Sequence, residues 1–167
     1  MRRSLPLVIA VFTALLLQTT IFPQLTLVGA KPELVYMITI LVAMLEGPAV
    51  GAGVGFGGGM AQDFLQNAPK GMTALTLTLL GYSVGLVRTY IISPSPFLPM
   101  ILVGIGTFGG LIFYGIVAAL IGQLDVSALY LLRVSFFSGL YNALLTPLAY
   151  PVLRRISDGA RSPSMFR

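Results

Sequence analysis

Pro48-Ala-Val-Gly51-Ala-Gly53-Val-Gly55-Phe56-Gly57-Gly58-Gly59-Met-Ala-Gln62-Asp63-Phe-Leu65 is the stretch on which the reading of this chain turns. Seven glycines fall between Gly47 and Gly59. In water such a segment reads as a loop. Inside a bilayer a loop leaves its backbone N–H and C=O groups without partners, so only a helix survives there. Which solvent surrounds the segment therefore decides the fold.

Composition answers that. Of 167 residues, 56% are hydrophobic and only 9% charged, and the mean hydropathy is +0.93. A soluble domain carries about a quarter charged residues. Fifteen charges (10 Lys/Arg and 5 Asp/Glu) cannot coat a soluble globule of 17.8 kDa. The chain is read as an all-α integral membrane protein. The net charge of +5 would suggest nucleic acid in a soluble protein. Here no nucleic-acid partner is expected, because the placement of the basic residues carries the information.

Outward from the glycine segment, apolar runs bounded by Pro, Gly and polar clusters give six spans. They cover about 5–22, 32–46, 48–65, 72–92, 98–122 and 128–153. Together they form one transmembrane domain over residues 1–153, with a basic tail over 154–167. The first run follows Arg2 and Arg3 but is longer than a signal-peptide core and lacks a small-residue cleavage site, so it is a retained helix. The second is short, and either takes in Pro32 and Glu33 or is tilted and shielded by its neighbours. Short connections make the six antiparallel neighbours in one compact bundle. With the N-terminus inside, the inner flanks hold seven basic residues (Arg2, Arg3, Arg88, Arg154, Arg155, Arg161, Arg167) and the outer flanks three (Lys31, Lys70, Arg133). Both termini are therefore expected on the cytoplasmic side.

Gly47, Gly51, Gly55 and Gly59 recur every four residues, and Gly81/Gly85 and Gly106/Gly110 repeat the step. Such faces let helix backbones approach closely. They serve either packing within this bundle or docking of a partner's transmembrane helix. The match of Gly53-Val-Gly55-Phe-Gly57-Gly58 to a dinucleotide fingerprint is a coincidence, since no strand precedes it and it lies in a span. Asp63, near the outer end of the third span, is either a polar contact, an ion ligand or a proton site, or a helix-end residue pairing with a nearby base or backbone amide. Arg133 is its candidate ion-pair partner or a residue snorkelling to the headgroups. Glu46 is expected to be a solvated end residue. Asn142 is a mid-span polar residue suited to a helix–helix hydrogen bond, and Pro147 after it to a bend. The basic cluster of Arg154 and Arg155 is a membrane anchor or a docking point for a cytoplasmic protein.

No Cys and no His occur. Thiol nucleophiles, disulfides, Ser-His-Asp triads and Cys/His zinc sites are excluded. The few carboxylates form no pair suited to glycosidase chemistry. Neither catalytic residues, metal ligands nor a cofactor are expected, and an enzyme is not the reading.

Certain residues resemble a known family. Leu17-Gln18-Thr19-Thr20 and Lys31-Pro32-Glu33-Leu34 are similar to the opening of the MreD family. So are Gly51, Gly55-Phe56, Gly59, Asp63 and Gly71 in order, then Gly81-Tyr82, then Asn142 with Pro147. The third helix is richer in glycine than the family pattern requires, and the second span is short. The resemblance implies a multi-pass protein of the bacterial inner membrane that belongs to the elongation (Rod) complex. It implies MreC as direct partner, with MreB, RodA and RodA's transpeptidase partner further off. It implies a fold like the substrate-binding subunits of energy-coupling-factor transporters, and no catalytic residues. The matched positions carry over only as motif residues that shape the bundle. The expected function is thus a non-enzymatic membrane scaffold for cell shape and lateral peptidoglycan synthesis. The rival is a small-molecule or lipid-precursor binding subunit of a transporter.

Overall fold

The computed structural model describes residues 4–20, 29–66, 69–88, 97–123 and 127–161. Among them run six helices: α1 (Ser4–Thr20), α2 (Leu34–Glu46), α3 (Pro48–Leu65), α4 (Met72–Val87), α5 (Leu98–Leu120) and α6 (Ala128–Arg161). Arg2, Arg3, the expected span ends at 21–22 and 89–92, and the end of the tail from 162 lie outside the described residues.

The glycine-rich segment is a helix throughout. Pro48 opens it at the position where a missing N–H costs nothing. Gly47 makes the turn from α2 with φ of 100°, a conformation that only glycine adopts without strain. α5 and α6 are long and apolar enough to cross a membrane, while α1, α2 and α4 are shorter apolar helices.

The short helix α2 is the core. It touches all five others, and every residue from Leu34 to Ala43 is buried. At 13 residues it is about 19 Å long, less than a bilayer's hydrocarbon core of about 30 Å. Of the two readings of its brevity, shielding by neighbours is the one seen. It starts at Leu34, with Glu33 as its N-cap. Around it, Leu15 of α1, Leu77 of α4 and Val103 of α5 are fully buried.

α3 and α4 pack antiparallel, backbone on backbone. A Cβ on Gly59 would sit 2.5 Å from Ala74 Cα, one on Gly55 2.6 Å from the Leu77 carbonyl carbon, and one on Gly81 2.6 Å from the Gly51 carbonyl carbon. A Cβ on Gly85 would stand 2.8 Å from the Gly47 carbonyl carbon. At Gly55, Gly59, Gly81 and Gly85 the four-residue spacing is consumed by the seam between α3 and α4, while Gly51 lies closest to Ala43 of α2, and Gly106 and Gly110 lie closest to Ile40 and Tyr36 of α2. With no side chains between α3 and α4, van der Waals contact runs along both backbones.

α6 departs from its expected limits. It does not end at residue 153 but runs on to Arg161, carrying Pro147 and Pro151 inside it. Arg154 and Arg155 are exposed residues on that helix, and Arg154 Nε lies 3.7 Å from Asp158 Oδ2 one turn on. The extension holds because Ser157 is buried and donates a hydrogen bond to Glu46 Oε1. Glu46 is accordingly not the solvated end residue expected but ties the α2–α3 turn to the end of α6.

Candidate functional site

The polar residues of the bundle gather at the end opposite Glu46. A helix buried in lipid or protein must have its first N–H groups satisfied by something other than water. For α2 the donors and acceptors come from α1 and α6. Gln18 Oε1 accepts the Val35 N–H at 3.2 Å. Asn142 Oδ1 accepts the Glu33 N–H at 3.0 Å, while its Nδ2 donates to the Glu33 carbonyl at 2.8 Å and to Thr107 Oγ1 at 3.0 Å. Asn142 thus joins α2, α5 and α6, fully buried.

The Glu33 carboxylate is the centre of this group. Gln18 Nε2 of α1 donates to its Oε2 at 2.6 Å and Gln62 Nε2 of α3 to the same oxygen at 3.3 Å. Lys31 Nζ stands 3.6 Å from Oε1. Burying a carboxylate is costly unless it is paired and hydrogen-bonded, and here two amides and an ammonium share its charge. One atom is left over: Gln62 Oε1 is buried and has no hydrogen-bond partner among the described residues. This clasp binds α1 to α3 through α2.

Asp63 does a separate job. Its carboxylate accepts the backbone N–H groups of Gly71 at 2.9 Å, Thr73 at 3.2 Å and Ala74 at 3.3 Å. It therefore caps α4 from the neighbouring helix, and its charge suits the positive end of the α4 dipole. Gly71, with φ of 92°, turns the chain so that its N–H points back at Asp63. The candidate pair of Asp63 with Arg133 is not made: Asp63 is fully buried on those three N–H groups, and Arg133 is exposed. The cap was available within the sequence neighbourhood, and it desolvates no guanidinium.

Of the other motif positions, Phe56 is 53% exposed and Tyr82 49%. Both are about half exposed at the surface of the bundle. Pro147 is exposed inside α6. Sequence reasoning missed Gln18, Glu33, Gln62 and Thr107 as one group. The available signal was Gln18 and Gln62, uncharged amides standing in otherwise apolar helices, where each needs a partner.

What this arrangement does chemically is lock helices together: each carboxylate and amide named here holds a neighbour's backbone or another side chain. A family model described as rod shape-determining protein MreD matches residues 1–156. No curated protein and no solved structure matches the chain. Since the family match takes in all six helices up to the last turns of α6, the chain belongs to the MreD family of rod shape-determining membrane proteins.

Proposed function

We propose that this protein is a non-enzymatic scaffold of the bacterial cell-elongation machinery that binds MreC in the cytoplasmic membrane. Through MreC it bears on MreB, RodA and RodA's transpeptidase partner, and so on lateral peptidoglycan synthesis. The observation that carries this is the use made of the buried polar groups. Asp63 holds three backbone N–H groups, Asn142 the backbone of Glu33, and Gln18 the N–H of Val35. A bundle whose polar chemistry is committed to its own rigidity is built to present a surface. Six spans with both termini cytoplasmic fit this reading. Ser157 meets Glu46 at one end, while Lys31, Asp63 and Lys70 gather at the other, which supports the charge count. Co-expression with MreC and affinity capture in mild detergent is the test. Stoichiometric co-elution is expected. Two folded proteins that never co-elute overturn the proposal.

A second reading, binding of a small molecule or lipid precursor as in the substrate-binding subunits of energy-coupling-factor transporters, is favoured by one atom. Gln62 Oε1 is an unused acceptor beside a carboxylate. A thermal-shift screen of the purified protein against vitamins and lipid-linked precursors tests it. Stabilisation that Gln62→Leu abolishes would support it, and a flat screen counts against it.

A further inference from the structure

The clasp at Glu33 is complete except for two oxygen atoms. Gln18 Nε2 and Gln62 Nε2 both donate to Glu33 Oε2, at 2.6 Å and 3.3 Å, and two donors use the lone pairs of one carboxyl oxygen. Glu33 Oε1 has only Lys31 Nζ, at 3.6 Å, which is an ion pair but too long for a hydrogen bond. Gln62 Oε1 is buried and has no partner among the described residues. An unused acceptor thus belongs to each of two side chains that already touch through their other polar atom.

With the carboxyl charged, both oxygens are a cost. A buried acceptor without a donor loses its hydration for nothing. The buried charge is offset by Lys31, whose side chain is 37% exposed and therefore screened by water. The remaining titratable neighbours do not help. They are Tyr36 of α2 and Tyr114 of α5, phenols within the electrostatic reach of Glu33, and Asp63 of α3, a second negative charge acting on the same two phenols. α1, α3 and α6 face Glu33 directly with uncharged amides, Gln18, Gln62 and Asn142.

One proton removes both defects. A neutral carboxyl and a primary amide are complementary: the amide N–H donates to the carboxyl C=O, and the carboxyl O–H donates to the amide C=O. The first of these bonds is present, from Gln62 Nε2 to Glu33 Oε2. The terminal torsions of Glu and Gln are broad, so rotation about them lays the second pair of atoms side by side. We propose that Glu33 is a proton-binding site, holding a proton on Oε1 and donating it to Gln62 Oε1 in a closed acid–amide pair. Oε2 is then the C=O that accepts both Gln18 and Gln62, and the partly exposed Lys31 turns to water. Loss of the proton strands Gln62 Oε1 and loosens α1 from α3, so proton occupancy sets how firmly these helices close. Neither MreC nor a small molecule is needed for this.

Infrared spectra of the purified protein in detergent at neutral pH read the site directly. A neutral carboxylic acid has a C=O stretch that carboxylates lack and that moves on exchange into heavy water. The wild type shows such a band, and Glu33→Gln loses it. That variant offers Gln62 Oε1 an N–H where the acid offered an O–H, so it melts within about 2 °C of the wild type. Lys31→Met changes Tm as little. Gln62→Leu removes the acceptor and shifts the band, and it serves where Glu33→Gln does not fold. A wild type without an acid band overturns the proposal: Glu33 is then ionised, and water or a ligand meets Gln62 Oε1. So does a band that survives Glu33→Gln, or one that Gln62→Leu leaves unmoved. Folded Glu33→Gln and Lys31→Met variants that both melt far below the wild type also overturn it, since that is the mark of a buried ion pair.

Discussion

Alanine in place of Gly55 adds one methyl where α3 meets the backbone of α4. The new carbon would lie 2.6 Å from the Leu77 carbonyl carbon and 3.0 Å from Thr78 N, against 3.4 Å for ordinary contact. The Leu77 carbonyl oxygen is nearer still, so α4 must retreat by at least about 0.8 Å, the difference of the first and last of those distances. Neither neighbour is a side chain that could change rotamer, so the helices move as rods. A gap of that size forfeits about a quarter to a half of the dispersion well for each atom pair along the seam. Overpacking of this kind costs about 1–3 kcal/mol, and the upper end applies because the Asp63 cap on α4 stretches with it. Alanine's helix propensity returns about 1 kcal/mol. The net loss is about 2 kcal/mol, a fall of about 4–8 °C in Tm for a chain of this size. Gly57→Ala, two residues away, adds the same methyl into open space and keeps only the propensity gain, a rise of about 2–4 °C. Thermal melts of the two variants in one detergent, followed by size-exclusion chromatography, give the contrast. If they melt within about 2 °C of each other, or Gly57→Ala is the weaker, the seam is not where the stability lies.

Asp63→Ala strips the cap from α4 and leaves the Gly71, Thr73 and Ala74 N–H groups without an acceptor. A loss of about 2–4 kcal/mol is expected, read as a Tm drop larger than that of Gly55→Ala. Arg133→Ala should leave Tm unchanged within about 1 °C, since an exposed arginine away from caps and pairs contributes little. Asn142→Leu removes three hydrogen bonds that join α2, α5 and α6 and should cost about 1–2 kcal/mol by the scale of interhelical bonds in membranes; hydrogen exchange at the start of α2 should rise with it.

Helical class and the number of helices were legible because each follows from one local rule. The rule for α3 was that glycine-rich backbone in a bilayer has nowhere to go but a helix. Local rules fail where a choice among neighbours is needed. Glycine lies on several faces of α3, and spacing alone does not say that Gly55 meets α4 while Gly57 meets nothing. For Asp63 a backbone amide was among the alternatives, but nothing in the side-chain pattern says that Gly71, Thr73 and Ala74 supply it. Glu33 was placed as a residue the second span could take in. Its clasp is formed by Gln18 and Gln62, 15 and 29 residues away, and only α2's position between α1 and α3 unites them. The continuation of α6 beyond 153 was not legible because the basic Arg154-Arg155 read as the start of a tail, whereas burial of Ser157 continues the helix past them.

The α3–α4 seam also constrains how this chain can change over generations. Every single-base change that alters a glycine codon yields a residue with at least a Cβ or a stop, and at Gly55, Gly59 and Gly81 a Cβ alone collides with backbone. No compensating substitution on α4 can make room, because backbone atoms are not encoded by residue type. Each one-step neighbour of the seam in sequence space therefore carries a stability cost of the kind worked out for Gly55→Ala. Divergence is steered instead to exposed positions such as Phe64 and Leu79, so the outer surface can change while the two helices stay locked.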